Sequence, residues 1–215
     1  MKYHSYSDLL KNNEEWAKKQ LEKNPDFFEN LARSQNPPFL YIGCSDSRMP
    51  LDTYTQTQPG EMFVHRNIGN QIFLTDMNML SVLEYAIFQL EIKHIIICGH
   101  YECGGIYSAY TNQSTGLVEN WVKPIKDIIY DNKDILENIP DLSDKLKKIS
   151  ELNVIKQVEN LLKTSIMEKA IEADKKNQIH IYGWVLDLKK GIIMELKLPV
   201  KQWKNRGILP EFHKL

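Results

Sequence analysis

The sequence predicts an α/β protein: a mainly parallel central sheet flanked by helices, with an antiparallel edge strand and an N-terminal helical arm. Three observations carry this. Two apolar runs of β-formers, Phe39-Leu40-Tyr41-Ile42 and His94-Ile95-Ile96-Ile97-Cys98, read as strands buried on both faces. Between them, residues 76–91 place Met79, Leu80, Leu83, Ala86, Ile87 and Leu90 at three- and four-residue intervals, the period of a helix. Near the end, 178–188 and 192–198 flank Lys189-Lys190-Gly191 as a hairpin. Strands alternating with helices build a parallel sheet, and a final hairpin adds an antiparallel edge. A chain of 215 residues fills one sizeable core. A single domain over 1–215 is expected, with a helical arm over 1–35 and an α/β core over 38–198.

Taken in order, residues 5–35 read as two helices parted at Asn24-Pro25, the first carrying Leu9, Leu10, Trp16 and Leu21 and the second Phe27, Phe28, Leu31 and Ala32. The first has little to bury by itself. Asn36-Pro37-Pro38 leads into the first strand. Met49-Pro50 starts a short helix, since proline suits a first turn. Gln58-Pro59-Gly60 turns the chain into a second strand, 61–65, that ends in the polar loop Arg66-Asn67-Ile68-Gly69-Asn70. The strand at 94–98 leads to a helix from Ile106 to Tyr110. Residues 118–135 and 150–173 read as further helices separated at Pro140-Asp141, the second with Leu152, Ile155, Val158, Leu162, Ile166 and Ala170 on one face. The tail after Pro199 carries little signal.

Composition narrows the function classes. A formal net charge of -1 offers no basic field for nucleic acid. No apolar run is long enough to cross a membrane, so no membrane partner is expected. The first residues, Met1 to Asp8, contain no apolar signal region. Three cysteines, at 44, 98 and 103, do not make a disulfide framework. Both features fit a cytoplasmic protein.

The chemistry concentrates in two stretches that each follow a strand: Cys44-Ser45-Asp46-Ser47-Arg48 and His100-Tyr101-Glu102-Cys103-Gly104-Gly105. In open α/β folds ligands gather at the C-terminal edge of the sheet. Neighbouring strands can therefore bring Cys44, His100 and Cys103 together there. Two thiolates and an imidazole suit Zn2+, and three protein ligands leave a fourth position open. The bland alternative is that the cysteines are small core hydrophobes. Gly104 and Gly105 let the backbone turn tightly and approach closely at this point.

Three segments in series resemble the β-class carbonic anhydrases: Cys44 to Pro50, Pro59 to Asn67, and Cys98 to Gly105. The likeness runs from about Phe27 to Trp184. It implies zinc-dependent reversible hydration of CO2 to bicarbonate and a proton by a zinc-bound hydroxide, with Cys44, His100 and Cys103 as metal ligands. It further implies that Arg48 holds Asp46 away from the metal, so that Asp46 accepts a hydrogen bond from the nucleophile. If Arg48 lets go, Asp46 becomes a fourth ligand and closes the site. On a strand-like path the two side chains would point the same way. Gln35 and Gly104 are implied substrate-binding residues, Phe63 and Ile68 implied walls of a CO2 pocket. Tyr85, which falls off the apolar stripe of its helix, is implied to serve the neighbouring subunit's site. A homodimer or a dimer of dimers follows, with the N-terminal arm packed on a partner. Two thiolates cancel the metal's charge, so activity is expected to rise on the alkaline side.

The sequence also departs from relatives that carry a second, inhibitory bicarbonate pocket. Their Trp and Tyr positions hold Tyr41 and Leu186 here, and Arg66 is kept, so inhibition through that pocket is expected to be weak or absent. Glu102 adds negative charge beside two thiolates, and solvent is its expected surroundings. The competing readings are a hydrolase of a CO2 analogue, carbonyl sulfide or carbon disulfide, on the same scaffold, or a structural zinc site closed by Asp46. A redox role for Cys98 and Cys103 fits poorly, because their spacing is not Cys-x-x-Cys.

Overall fold

The computed structural model of the chain describes residues 4–174, 176 and 178–215. It divides into two compact units, Met1–Asn36 and Pro37–Leu215. In the first, α1 (Tyr6–Lys23) begins at a reciprocal cap. Ser5 accepts from the Asp8 backbone N–H, and Asp8 accepts from the Ser5 backbone. The second helix, α2 (Phe27–Arg33), follows the Asn24-Pro25 break. Trp16 sits edge-on against Phe27 and Phe28, with ring centroids 6.3 and 5.7 Å away. Neither helix buries a residue.

The second unit is built on five strands: β1 (Phe39–Cys44), β2 (Met62–Asn67), β3 (His94–His100), β4 (His180–Asp187) and β5 (Ile192–Glu195). Their spatial order is β2-β1-β3-β4-β5. The first four run parallel, and β5 pairs antiparallel with β4 across the Lys189-Lys190-Gly191 turn. The register puts Gly43 beside Cys98, so β1 and β3 end level at one edge of the sheet. One face carries Leu40, Ile42, Ile95, Ile97, Ile181 and Val185 into the main core. The opposite face carries Tyr41, Ile96, Cys98 and Leu186 against Met49 and Leu51, the latter opening α3 (Leu51–Thr55). A smaller core of Ile106, Val122, Ile125 and Ile149 lies with Cys44 and Cys103.

The helices differ from the sequence-based expectation where tertiary contacts decide. The helix expected over 76–91 is α-helical only as α4 (Met77–Glu84). Tyr85–Gln89 form a π-helical turn in which Leu90 N–H donates to Tyr85 O at 3.0 Å. The next helix is α5 (Gly104–Thr111). The helix expected over 118–135 is two, α6 (Gly116–Asp131) and α7 (Lys133–Glu137), parted at Asn132. The helix expected over 150–173 is also two. α8 (Leu142–Leu162) starts eight residues sooner because Asp141 caps it. α9 (Ser165–Ala173) starts afresh where the Thr164 hydroxyl accepts from Met167 N–H. Leu152 and Ile155 of the expected stripe are only half-buried. The buried face of α8 instead includes Asn153 and Gln157. The tail that carried little signal forms α10 (Val200–Asn205) and buries Trp203.

Strand β2 also runs further than expected. Arg66 and Asn67 are part of it, because their partners Gly43 and Cys44 continue the parallel pairing and Ser45 N–H donates to Asn67 O at 2.9 Å. The polar loop shrinks to a 3-10 turn, Ile68–Asn70.

Candidate active site

Two strands and the start of a helix deliver the three metal-ligand candidates. Cys44 is the last residue of β1 and His100 the last of β3. Cys103 precedes the first turn of α5. All three are buried, and their ligand atoms lie within 4.8 Å of one another, the one such group among the described residues. The Cys44 and Cys103 sulfurs are 3.9 Å apart. His100 Nδ1 lies 2.9 Å from Tyr101 O, so Nδ1–H donates there and Nε2 is left as a buried lone pair without a hydrogen-bond partner. A buried ring nitrogen is costly unless something satisfies it. Two sulfurs and a bare imidazole nitrogen facing one point are the donor set that zinc takes.

The electrostatics agree. Contact with Cys103 holds the Cys44 thiol well below the usual thiol range, against the cost of burial, with the nearby His100 ring and the Gly69 N–H adding to it. The same contact, together with burial, pushes Cys103 up, while the Ile106 and Gly105 N–H groups at the start of α5 act the other way.

Asp46 and Arg48 do not follow a strand-like path. Residues 46–49 turn, with Met49 N–H donating to Asp46 O at 3.0 Å. The turn still joins the side chains: Arg48 Nε and Nη2 donate to the two Asp46 carboxylate oxygens at 2.9 and 2.7 Å, and Arg48 N–H donates to Oδ1 at 2.9 Å. These hydrogen bonds hold the Asp46 carboxyl at about 2 although partial burial pushes the other way. Asp46 Oδ2 is 3.8 Å from His100 Nε2. Arg48 Nη2 also donates to Glu102 O at 3.0 Å, tying the two ligand loops together. Glu102 is not simply solvated. Its backbone sits at φ +56° and its carboxylate pairs with Lys189 at 3.3 Å, because the β4–β5 turn passes beside it.

Other residues find varied places. Phe63 and Tyr85 stack with ring centroids 5.8 Å apart, and Tyr85 is nearly half-exposed on the π-helical turn. Ile68 is partly exposed in the 3-10 turn. Gly104 is exposed, with open space where a side chain would be. Gln35 is an exposed residue of the N-terminal unit. Arg66 spends its donors on backbone: Nε on Cys44 O at 2.8 Å and Nη2 on Asp46 O at 2.7 Å. This anchoring of the first ligand loop was not foreseen, although an arginine directly across the sheet from Gly43 was available as a signal. The Tyr41 ring lies across Gly43, where any side chain would collide with it. Burial pushes the Cys98 thiol up to about 12, that of an inert core residue.

A parallel sheet whose edge gathers two cysteines, a histidine and an arginine-clamped aspartate defines a class of small α/β protein with a candidate metal site. Comparison with known proteins narrows it. The family profile described as carbonic anhydrase matches residues 39–193. The carbonic anhydrase of Emericella nidulans is 35% identical over 98% of this chain and 90% of its own length. That of Helicobacter pylori strain J99 is 31% identical over 83% of this chain and 85% of its own. A tetrameric β-carbonic anhydrase of the filamentous ascomycete Sordaria macrospora superposes with a TM-score of 0.84 at 37% identity, covering 89% of this chain and 96% of that one. A β-carbonic anhydrase of Aspergillus fumigatus superposes with a TM-score of 0.87 at 31% identity, covering 98% and 99%. The chain belongs to the carbonic anhydrase family, in its β class, and is an enzyme of the lyase type.

Proposed function

We propose that the chain catalyses zinc-dependent, reversible hydration of CO2 to bicarbonate and a proton, with Cys44, His100 and Cys103 as the metal ligands. The observation that carries this reading is the buried, partnerless Nε2 of His100 facing two sulfurs at the sheet edge. Bound there, zinc supplies Lewis acidity that makes water a nucleophile near neutral pH. Asp46 does the positioning. Held ionised by Arg48, its carboxylate only accepts hydrogen bonds, so it orients the attacking water's O–H beside His100 without keeping the proton. Arg48 fixes that orientation by gripping both carboxylate oxygens. Phe63 and Ile68 are the proposed apolar walls for CO2, and open Gly104 leaves room for the product. Gln35 enters as a substrate contact on sequence alone. The proposed assembly is a homodimer or a dimer of dimers, with Tyr85 serving the neighbouring subunit. Three free thiols fit a cytoplasmic location.

Stopped-flow CO2 hydration by the zinc-loaded protein tests the reading between about pH 6.5 and 9.5, which brackets ionisation of the nucleophilic water. Hydration rising with pH and abolished in Cys44→Ser is the expected result. Zinc bound at one per chain with no hydration at any pH overturns it in favour of a CO2 analogue or a closed structural site.

A further inference from the structure

Asp187, buried at the end of β4, closes the turn into β5. Its Oδ1 accepts from the Lys189 and Lys190 N–H groups at 3.0 and 3.2 Å, and its carbonyl accepts from Gly191 N–H at 2.7 Å. Gly191, at φ +68°, completes the turn in the left-handed region. The turn is fixed by its own hydrogen bonds, and its neighbours on two sides reach Arg48.

One neighbour is the second ligand loop. Tyr101 N–H donates to Leu186 O at 3.0 Å, which pins that loop to the end of β4. The next residue, Glu102, sets its carboxylate 3.3 Å from Lys189 Nζ. The Glu102 carbonyl accepts from Arg48 Nη2 at 3.0 Å. Glu102 holds φ +56°, a region that a residue with a Cβ disfavours, so its peptide stays there only while its surroundings hold it. The other neighbour is α3. A side chain on Gly191 would lie 3.8 Å from Tyr54 Cε1, so the Tyr54 ring rests beside the turn. Tyr54 Oη donates to Arg48 O at 3.3 Å. One turn thus backs the groups that hold Arg48 at its guanidinium and at its backbone. The Lys189 and Glu102 side chains are 68% and 29% exposed, and such a pair adds little to the stability of a fold. Its effect is on direction: it aims a carbonyl at the arginine that grips both oxygens of Asp46.

We propose that Glu102, Lys189 and Tyr54 are positioning residues for CO2 hydration: backed by the 187–191 turn, they hold Arg48 at both ends and so keep Asp46 off the metal position. This rests on the reading of Asp46 as a carboxylate that Arg48 restrains beside a metal held by Cys44, His100 and Cys103. Asp46 Oδ2 is 3.8 Å from the bare Nε2 of His100, close enough to compete for that metal once Arg48 shifts.

Azide binding to the cobalt(II)-substituted full-length protein, read from the cobalt d–d absorption, tests this, because azide enters only where Asp46 has not. Arg48→Ala should weaken azide most. Glu102→Gln, Lys189→Met and Tyr54→Phe should each raise the azide dissociation constant about threefold, the scale of one exposed ion pair or one hydrogen bond. Lys189→Arg, which keeps the pair, should bind azide as the parent does. Glu102→Gln is the decisive variant. Removing a negative charge would by itself tighten an anion, so weaker azide there reports the loss of the brace. In an Arg48→Ala background, Glu102→Gln should weaken azide no further. Azide bound by Glu102→Gln as tightly as by the parent, with Arg48→Ala weakened, overturns the brace and leaves the restraint of Asp46 by Arg48 intact. An Arg48→Ala protein that binds azide like the parent overturns both, as does a parent that takes up no azide.

Discussion

At the scale of single residues, Arg48 is the group whose removal should cost most without touching the ligand set. It makes three hydrogen bonds to Asp46 and one to the Glu102 carbonyl. Arg48→Ala frees the Asp46 carboxylate, 3.8 Å from His100 Nε2, to swing into the ligand position. The expected kcat/KM for CO2 hydration falls about 100-fold, the lower end of what a positioned acid–base group contributes, with zinc content unchanged. Arg48→Lys should recover little, since a point charge cannot grip both oxygens. Steady-state kinetics beside metal analysis check both. Cys44, Asp46, Arg48, His100 and Cys103 were legible in the sequence because each set is contiguous and follows a strand. Asn153 was not, because an asparagine within a helical period looks like surface. Its partner Gly69 lies 84 residues away, a separation no local pattern encodes.

At the scale of elements, Glu159 joins α8 to α10. Its carboxylate accepts from Trp203 Nε1 at 3.2 Å and from Arg206 Nη1 at 2.9 Å, and pairs with Lys163 at 2.6 Å and Lys156 at 3.2 Å. Burial pushes its carboxyl up, but hydrogen bonds from Lys163, Arg206 and Lys156 outweigh burial and bring it to about 2. A carboxyl lower in the folded chain than in the unfolded one stabilises the fold above the unfolded value near 4.5. That contribution is lost as pH falls from there to about 2. It is on the order of 3 kcal/mol at neutral pH. Glu159→Gln should therefore lower unfolding free energy by about 2–3 kcal/mol at pH 7 and flatten its fall between those pH values. Denaturant titrations across that range measure it. A variant as stable as the parent at pH 7 would show the cluster to be idle. Six residues are too few for α10 to show a period, which is why the sequence left it blank. The 3.6-residue stripe of α4 was plain, yet its π-helical turn was not, since one displaced hydrogen bond leaves no mark on composition.

At the scale of the whole molecule, the sheet ends on one side at β2, where Val64 is 44% exposed, and Tyr85 and Phe88 are each 45% exposed on the neighbouring turn. An open apolar edge of this kind needs a cover. In the proposed dimer, Val64→Lys should shift the balance towards monomer, raising the dissociation constant at least about tenfold, which corresponds to about 1.4 kcal/mol. Light scattering on a dilution series reads it, and a parent that is monomeric throughout removes the dimer. The parallel order of the first four strands has another consequence. Cys44 and Cys103 stand 59 residues apart in the chain but 3.9 Å apart in space. A nascent chain therefore leaves the ribosome carrying its first thiol long before the second. Only after β3 has docked beside β1 are the sulfurs neighbours, so capture of a metal by the proposed ligands would wait on, and report, the pairing of β1 with β3 at the centre of the sheet.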